Sequence, residues 1–357
     1  MKVSFVIPTL NSAQTLGDCL ASIRAQTFTD CEIVVADGGS TDDTVRIARR
    51  FGVETVCPNP LKTGEAGKAA GINAAHGELV ALVDSDNILP DPGWLARMLA
   101  PFEDPAVFAT EPLRYSARPN DPSLTRYFAA LGMNDPVCLF AGNYDRVSAV
   151  TGKWTGLKIP LEARTEADGT RWYILHPRNT LPTIGANGFI FRRSILGKVS
   201  WEPYFFDIDV AAEAVAKGCG AVAKVDTSII HLYCAHFGDF VRKQNRRIRD
   251  FLYFAAAKQR TYPWRDCKTR GAVLFALSAV TLLPLVVQTA LLATRSPKGS
   301  RLAALWHLPV CYATLCVYGF GVLGKLIGLK PRLADRRSWQ ARANRPKDDF
   351  LPARTFS

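Results

Sequence analysis

Short apolar segments alternate with segments of helical periodicity over about the first 90 residues, and this alternation limits the fold more than any other feature. Each apolar segment has the length of a β-strand and ends abruptly in polar or glycine-containing sequence. The four segments are Lys2–Ile7, Cys31–Ala36, Gly52–Cys57 and Leu79–Val83. Strands that alternate with helices build a mostly parallel sheet covered by helices, so we predict an α/β, Rossmann-like nucleotide-binding domain.

Two carboxylates, Asp84 and Asp86, directly follow the fourth apolar segment and are separated only by Ser85. Ligands of open α/β sheets bind at the carboxyl ends of the strands. Mg²⁺ and Mn²⁺ take carboxylate oxygens and share their other positions with substrate phosphates. The pattern therefore predicts a metal–diphosphate site, although an acidic turn closed by Asn87 would look the same in the sequence.

Further motifs surround these strands in a specific order, namely VIPTLNSAQTL, IRAQTFTDCEIVVADGGSTDDT and GKAAGINAAHGELVALVDSDN. The run from Lys2 to about Leu99 resembles the N-terminal half of family-2 glycosyltransferases, inverting enzymes of the GT-A fold that use nucleotide-diphospho-sugars. The resemblance implies a Mg²⁺ or Mn²⁺ cofactor held by Asp84 and Asp86. It also implies that the nucleotide-sugar lies against Pro8, Thr9, Asn11, Asp37, Lys68, Asp84 and Ser85.

The chemistry of Asp37 and Lys68 agrees with these implied roles. Asp37 precedes two glycines that let a ligand approach the backbone, and its carboxylate would accept an N–H of a nucleobase. Lys68 lies on a glycine-rich loop and suits a phosphate. An Asx turn at Asp37 and a solvated side chain at Lys68 are the alternative interpretations.

A second set of motifs lies between residues 183 and 213. The glycine-bearing loop before Phe189 is similar to the family segment beneath the sugar and acceptor, which makes Asn187 and Gly188 expected sugar contacts. Asp207 and Asp209 resemble the Glu-Asp-x-Asp helix start of the family, with Phe206 where many relatives have Glu.

Asp207 is the predicted catalytic base. A hydroxyl acceptor is a poor nucleophile until a base removes its proton, and Asp207 keeps the register of the family's catalytic aspartate. A helix cap is the alternative role for Asp207. Asp209 is expected to cap the helix or to orient its neighbours.

Two histidines follow the apolar segment Ala221–Ile230, at His231 and His236. Imidazole suits manganese-type sites, so either side chain is a candidate metal ligand. We assign this role to His236, with a purely structural histidine as the alternative.

The segment Phe240–Phe254 combines apolar positions with a dense set of arginines, which is typical of an interfacial amphipathic helix. Gln244 and Arg247 match the Gln-x-x-Arg spacing of relatives that act on membrane lipids or polysaccharides, and they are predicted donor contacts. Ile248 stands where those relatives usually have Trp. A basic face on anionic lipid is the competing interpretation.

Charge and hydropathy divide the chain into a mildly acidic front and a basic back. The net charge is +12, yet residues 1–239 hold 22 basic and 27 acidic side chains. Gly271 to Thr294 and Leu302 to Gly324 contain no Asp, Glu, Lys or Arg. Each segment exceeds the roughly 20 residues that cross a membrane, so we predict a transmembrane hairpin, with a re-entrant hairpin or two buried helices as alternatives.

The predicted domains are a GT-A domain at 1–239, a basic interfacial helix and linker at 240–270, two transmembrane helices at 271–327 and a basic tail at 328–357. The GT-A domain divides into a nucleotide-sugar-binding half at 1–99 and an acceptor-side half at 100–239. Basic flanks outside the hairpin predict a multi-pass protein of the inner or plasma membrane with a cytosolic catalytic domain. The first strand begins at the N-terminus without a signal sequence, and the nine cysteines lack paired spacing, in agreement with that compartment.

These observations together predict a metal-dependent inverting hexosyltransferase. It would move a sugar from a UDP- or GDP-sugar to a hydroxyl of a membrane lipid or lipid-linked glycan. The basic back indicates an anionic membrane surface as a partner and not a nucleic acid. The alternatives are a polyprenyl-phosphate sugar synthase, a sugar-nucleotide pyrophosphorylase and an inactive membrane adaptor.

Overall fold

The computed structural model describes residues 2–159, 162–177, 181–185, 187–257, 260, 262, 265–330 and 332–333. Most of the predicted basic tail at 328–357 lies outside the described residues. The strands are β1 (Val3–Thr9), β2 (Cys31–Asp37), β3 (Thr55–Pro58), β4 (Leu79–Leu82), β5 (Asn87–Ile88), β6 (Val107–Ser116), β7 (Glu162–Thr165), β8 (Arg171–Ile174), β9 (Phe189–Arg192) and β10 (Ala221–His231).

Eleven α-helices and three 3₁₀ segments lie in the described residues. The helices of the N-terminal domain are α1 (Leu16–Arg24), α2 (Thr44–Arg50), α3 (Gly64–Ala74), α4 (Trp94–Leu99), α5 (Ser123–Leu131), α6 (Val137–Ala141) and α7 (Asp207–Ala216). The C-terminal helices are α8 (Phe237–Ala256), α9 (Arg265–Thr281), α10 (Leu283–Arg295) and α11 (His307–Leu326). The 3₁₀ segments span Ala100–Glu103, Arg193–Lys198 and Lys298–Trp306.

All ten strands form one mixed sheet in the order β3-β2-β1-β4-β9-β6-β10-β8-β7, with β5 paired to β10. The strands β1 to β4 are mutually parallel, as the alternation of strands and helices predicts. The sheet as a whole is less parallel than expected, because β9 lies antiparallel between β4 and β6. The α/β class is confirmed.

Two apolar layers cover the faces of the sheet and fix the polar ends of its strands. One layer packs α1, α2 and α4 on the sheet, and the other contains α3 and α7. Helix α3 approaches β1 closely, because a Cβ atom at Gly67 would lie only 2.7 Å from Cβ of Pro8. This close packing places Lys68, the next residue, at the carboxyl edge of the sheet.

The first of the two predicted transmembrane segments is bent. Helices α9 and α10 meet at Leu282, whose φ is 62°, and bend there by 93°. In the described residues, Lys298–Leu326 is long and apolar enough to cross a membrane, and Thr269–Arg295 meets that criterion only when both bent halves are taken together. The basic segment Phe240–Phe254 is helical as predicted and lies within α8, which spans Phe237–Ala256.

Candidate active site

Asp37 organises the turn between the carboxyl ends of β1 and β2. Its Oδ1 accepts hydrogen bonds from Thr9 Oγ1 at 2.9 Å and Ser40 Oγ at 2.5 Å, and its Oδ2 accepts from Gly39 N and Ser40 N. The turn that was the alternative interpretation of Asp37 is therefore present. Both carboxylate oxygens of Asp37 already accept hydrogen bonds within the protein. Contact between Asp37 and a nucleobase stays a prediction.

Asn11 and Pro8 belong to the same edge of the sheet. Asn11 has a left-handed backbone, its N–H donates to Ser40 Oγ at 2.8 Å, and its Oδ1 accepts from Thr41 N at 2.8 Å. The buried Nδ2 of Asn11 has no hydrogen-bond partner among the described residues. This amide could donate to a ligand bound at the mouth of β1 and β2.

Asp84 and Ser85 follow β4 beside this turn. Asn87 Oδ1 accepts from Asp84 N at 3.0 Å, so Asn87 closes the acidic turn as the alternative interpretation expects. Ser85 Oγ donates to Ser12 Oγ at 2.9 Å. Within the described part of the chain, the carboxylate of Asp84 accepts no hydrogen bond and can therefore take an external ligand.

Asp86 contacts two basic side chains from later parts of the chain. Its Oδ1 lies 3.3 Å from His231 Nε2, and its Oδ2 lies 3.6 Å from Lys243 Nζ. Burial raises the pKa of Asp86, but His231 and Lys243 outweigh burial, and the pKa lies well below its ordinary value. Asp86 is therefore ionised at neutral pH.

The histidine placed against Asp86 is His231, at the end of β10. His236 is exposed and immediately precedes α8, where its carbonyl accepts from the backbone N–H groups of Asp239 and Phe240. The role of His236 as a metal ligand stays a prediction, and the geometry favours His231 for any role next to Asp86.

Lys68 and Asp207 form a buried ion pair that joins the two predicted motifs. Lys68 Nζ lies 3.0 Å from Asp207 Oδ1 and 2.7 Å from Oδ2. Asp207 is the first residue of α7, where the helix dipole favours a negative charge. Gly185, with a φ of 125°, packs on this residue so closely that a Cβ there would lie 2.0 Å from Asp207 Cβ.

The charges around Asp207 suit a base. Burial raises the pKa of Asp207, Lys68 opposes this effect, and the net pKa is above the ordinary value. Asp84 also raises the pKa of Asp207, because a second negative charge nearby disfavours the ionised form. The pKa of Lys68 is raised as well, because the nearby carboxylates outweigh burial, so Lys68 is a cation.

Asp209 has the orienting role that the sequence predicts. Its Oδ2 accepts from Arg260 Nε at 2.8 Å, and its Oδ1 accepts from Tyr262 N at 2.8 Å. The guanidinium of Arg260 also lies 4.4 Å from the ring centroid of Phe206. Phe206, which stands where many relatives have Glu, thus packs against the guanidinium group that is paired with Asp209.

Glu111, Arg146 and Lys224 form a fully buried charged cluster. The sequence motifs did not predict this cluster. Glu111 forms ion pairs with Arg146 and Lys224 and accepts from Gly185 N at 2.6 Å. Burial lowers the pKa of Lys224 to about 8 against the opposing effect of Glu111. Glu111 in β6 and Lys224 in β10 are charged residues inside largely apolar strands, and this pattern could have indicated the cluster from the sequence.

This cluster supports the loop that carries Asn187 and Gly188. Arg146 Nη2 donates to Asn187 O at 2.9 Å, and Asn187 Nδ2 donates to Tyr115 OH at 2.8 Å. The buried Oδ1 of Asn187 has no partner among the described residues. The loop is thus fixed from below, and contact of Asn187 or Gly188 with a sugar stays a prediction.

Gln244 and Arg247 connect α8 to two other parts of the protein. Gln244 Nε2 and Arg247 Nη1 donate to Asn134 O at 2.9 Å and 3.0 Å. Gln244 Oε1 accepts from Tyr318 OH of α11 at 2.8 Å. These contacts are structural, and the predicted contact of both residues with the donor is untested.

The donor set at the end of β4 fits a hard divalent cation. Asp84 and Asp86 offer carboxylate oxygens, and Mg²⁺ often binds through one or two carboxylates and completes its shell with phosphates and water. The described residues contain no group of three or more His, Cys, Asp or Glu side chains arranged as a metal site.

Comparison with known proteins matches residues 4–160 to the family model described as Glycosyl transferase family 2. The glycosyltransferase GlyG of Streptococcus pneumoniae is 34% identical over 94 residues, which cover 25% of this chain and 31% of the relative. A PGL/p-HBAD biosynthesis glycosyltransferase of Mycobacterium bovis is 37% identical over 102 residues, covering 27% and 40%. The chain thus spans less than half the length of these two relatives.

Among solved structures, the mannosyltransferase PcManGT from Pyrobaculum calidifontis, in complex with GDP-Man and Mn²⁺, aligns with 96% of this chain and 84% of its own. The sequence identity is 18% and the TM-score is 0.47.

Proposed function

We propose that this chain, whose residues 4–160 match the family model Glycosyl transferase family 2, transfers a sugar with inversion from a nucleotide-diphospho-sugar to a hydroxyl group. The acceptor is a membrane lipid or a lipid-linked glycan at the cytosolic face of the membrane. The Lys68–Asp207 ion pair carries this proposal, because it joins the predicted phosphate contact to the predicted base next to Asp84.

Asp207 would act on the acceptor. An acceptor hydroxyl needs a base as it attacks the anomeric carbon, and a carboxylate with a raised pKa is a stronger base than an exposed one. When the proton moves to Asp207, the positive charge of Lys68 is free to face the diphosphate that leaves the sugar. The two residues thereby couple proton removal to the stabilisation of the leaving group.

Asp84 and Asp86 would hold the Mg²⁺ or Mn²⁺ that accompanies the donor. When bound, the cation acts as a Lewis acid on the leaving diphosphate. The sheet edge formed by Thr9, Asn11 and Asp37 would bind the nucleoside, with the unpartnered amide of Asn11 as a donor.

The acceptor class follows from the presence of a base. A polyprenyl phosphate is already anionic and needs no base, whereas a hydroxyl does. The membrane setting is supported by the apolar C-terminal helices and by the basic residues of α8. A pyrophosphorylase would use a glycine-rich loop after β1, where Pro8 to Asn11 stand. An inactive adaptor would not need to keep Asp84, Asp86 and Asp207.

Purified protein in detergent, given a panel of UDP- and GDP-sugars with Mg²⁺ or Mn²⁺, tests the proposal. We expect release of nucleoside diphosphate from one donor far above the others, and a loss of about 100-fold or more in Asp207→Asn. Glu54→Gln, which changes an exposed carboxylate before β3, is the matched control and should keep full activity.

Acceptor assays separate the two lipid classes. Lipid extracts containing free hydroxyl acceptors should give a labelled product, and polyprenyl phosphate alone should not. Efficient transfer to polyprenyl phosphate that persists in Asp207→Asn would overturn the hydroxyl assignment. Unchanged transfer by both Asp86→Ala and Asp207→Ala would overturn the enzymatic mechanism itself.

A further inference from the structure

The exposed apolar side chains of this protein are concentrated in one region. Among the described residues, only Leu61 and Ile174 are large exposed hydrophobic residues outside the C-terminal helices, and all the others lie between Val273 and Leu329. Soluble monomers rarely expose extended apolar patches of this kind. The C-terminal helical unit, defined as residues 269–329, therefore has a surface that needs a nonpolar partner.

Each helix of this unit has two apolar faces with different surroundings. In α9, Phe275 and Ala279 are buried one turn apart, whereas Val273, Leu277 and Val280 are exposed on the other face. In α11, Val310 and Thr314 are buried. The exposed face of α11 contains Tyr312, Phe320, Leu323, Leu326 and its successor Ile327. A helix that is apolar all round, with one side against protein, suits lipid on the other side.

Helix α11 contacts the catalytic domain along most of its length. Just before its first residue, Trp306 Nε1 donates to Ser123 Oγ at 2.9 Å. Farther along the helix, Tyr318 OH donates to Asp135 Oδ2 at 2.6 Å, and Gly321 lies against Ile248 of α8. The stretch from residue 307 to residue 321 is about 21 Å long at 1.5 Å per residue. The helix thus lies flat on the domain and does not project from it.

The connection between the two apolar segments also contacts the catalytic domain. Arg295 Nη1 donates to Val150 O at 2.7 Å, and Arg126 donates to Gly299 O. A transmembrane hairpin would place this connection on the far side of the bilayer. It would also place Asp135 and Gln244, which bind Tyr318, within the roughly 30 Å hydrocarbon core, where unsolvated polar groups are costly.

We propose that the C-terminal helical unit lies within a single leaflet of a lipid bilayer, with the connection at residues 296–301 on the same side as the catalytic domain. The exposed faces of α9, α10 and α11 contact acyl chains, and no segment crosses to the opposite surface. This inference rests on the membrane association in the proposed function and replaces the transmembrane hairpin predicted from the sequence with an in-plane anchor.

Charge distribution identifies lipid, and not a second copy of the chain, as the occupant. Residues 271–294 and 302–324 contain no Asp, Glu, Lys or Arg. Exposed basic side chains border these segments, namely Arg270, Arg295, Lys298, Arg301 and Lys325. Apolar faces edged by cations match acyl chains under anionic headgroups.

Cysteine accessibility in bacterial membranes tests this topology without any need for enzymatic activity. Gly299→Cys places a thiol on the connection, and Gly197→Cys places one on the catalytic domain. Both glycines are exposed, and a Cβ at either position meets no atom within 4 Å, so the two variants are a matched pair. A membrane-impermeant maleimide is added to intact spheroplasts or to inverted inner-membrane vesicles, and the labelled peptides are identified by mass spectrometry against the parent protein.

We expect both introduced thiols to react in inverted vesicles and neither to react in spheroplasts. Labelling of Gly299→Cys in spheroplasts, with Gly197→Cys still protected there, would overturn the proposal in favour of a spanning hairpin. Labelling of Gly299→Cys only after detergent would place the connection inside the bilayer and also overturn it. Recovery of the parent protein in the soluble fraction would exclude the lipid partner, whereas an inactive protein with the expected labelling would refute only the enzymatic proposal.

Discussion

Both carboxylate oxygens of Asp207 lie within hydrogen-bonding distance of the ammonium group of Lys68, at 3.0 and 2.7 Å. The predicted base is therefore held by a cation that a diphosphate would also attract. Since the two residues are 139 positions apart in the sequence, the fold alone brings them together. Replacement of Lys68 should therefore change the pH dependence of the reaction.

Lys68→Met should move the acidic limb of the kcat/KM profile to higher pH. Asp207 acts only when deprotonated, burial already raises its pKa, and Lys68 is the cation that opposes this rise. Loss of that cation raises the pKa further, so a larger fraction of the enzyme is protonated and inactive at a given pH. The measurement is the initial rate of nucleoside diphosphate release across the pH range.

Lys217→Met is the matched control for this profile, because it removes an exposed cation from the other end of α7. That end lies about 15 Å from Asp207 at 1.5 Å per residue. The control should keep the profile of the parent protein. An acidic limb that stays in place in Lys68→Met would show that Lys68 does not control the base.

Removal of divalent metal should abolish turnover, and Asp86→Asn should weaken metal binding, so that a higher metal concentration is needed for turnover. The amide keeps the shape of the side chain but loses the charge that attracts a cation, so we expect the apparent affinity for Mn²⁺ to fall by about tenfold or more. Titration of Mn²⁺ into chelator-treated protein, with release of nucleoside diphosphate as the readout, measures this affinity.

Asp91→Asn provides the comparison for the metal titration, since Asp91 is an exposed aspartate paired with Arg97. It should titrate like the parent protein. Full activity after exhaustive chelation would contradict the metal role of Asp84 and Asp86.

Local patterns in the sequence were sufficient for the parallel strands and for the positions of Asp37, Asp84 and Asp207. They could not reveal contacts made by distant segments, such as Lys68 with Asp207 or His231 with Asp86. The choice of His236 over His231 had no local basis, because His231 ends β10 and His236 follows only five residues later. These relationships depend on the pairing of β10 with β5, which brings His231 opposite Asn87, and on the contact between α3 and α7. No short motif encodes either.

The bend between α9 and α10 did have a signal in the sequence. Pro284 lies in the first turn of α10 and follows Leu282, where the helix breaks. Proline lacks the backbone N–H that an uninterrupted helix would need at this position, and it is common at helix starts. Length and hydropathy alone predicted one continuous span here, because neither measure takes account of proline.

Glu111→Gln should lower the free energy of unfolding by about 3–5 kcal/mol, because it leaves Arg146 and Lys224 as buried cations without their carboxylate. Urea unfolding followed by circular dichroism measures the loss. Glu166→Gln, which disrupts an exposed pair with Arg164, should change stability by less than about 1 kcal/mol.

The double variant Glu111→Gln/Lys224→Met tests whether charge balance is the cause. It removes one buried cation together with the carboxylate, so it should be more stable than Glu111→Gln alone. If the double variant loses as much stability as Glu111→Gln and Lys224→Met lose in sum as single variants, the cluster acts through packing and not through charge.

Phe320→Glu should weaken binding to lipid without unfolding the catalytic domain. Phe320 is 75% exposed on the face of α11 that we assign to acyl chains, so a carboxylate there would have to enter the apolar layer. We expect about a tenfold loss of partitioning into vesicles of phosphatidylcholine and phosphatidylglycerol, which corresponds to about 1.4 kcal/mol. Ile174→Glu introduces the same charge at a 40% exposed apolar residue of β8 and should partition like the parent protein. Equal loss in both variants would indicate a general electrostatic repulsion from the anionic vesicles, and no loss in either would exclude this face of α11 from contact with lipid.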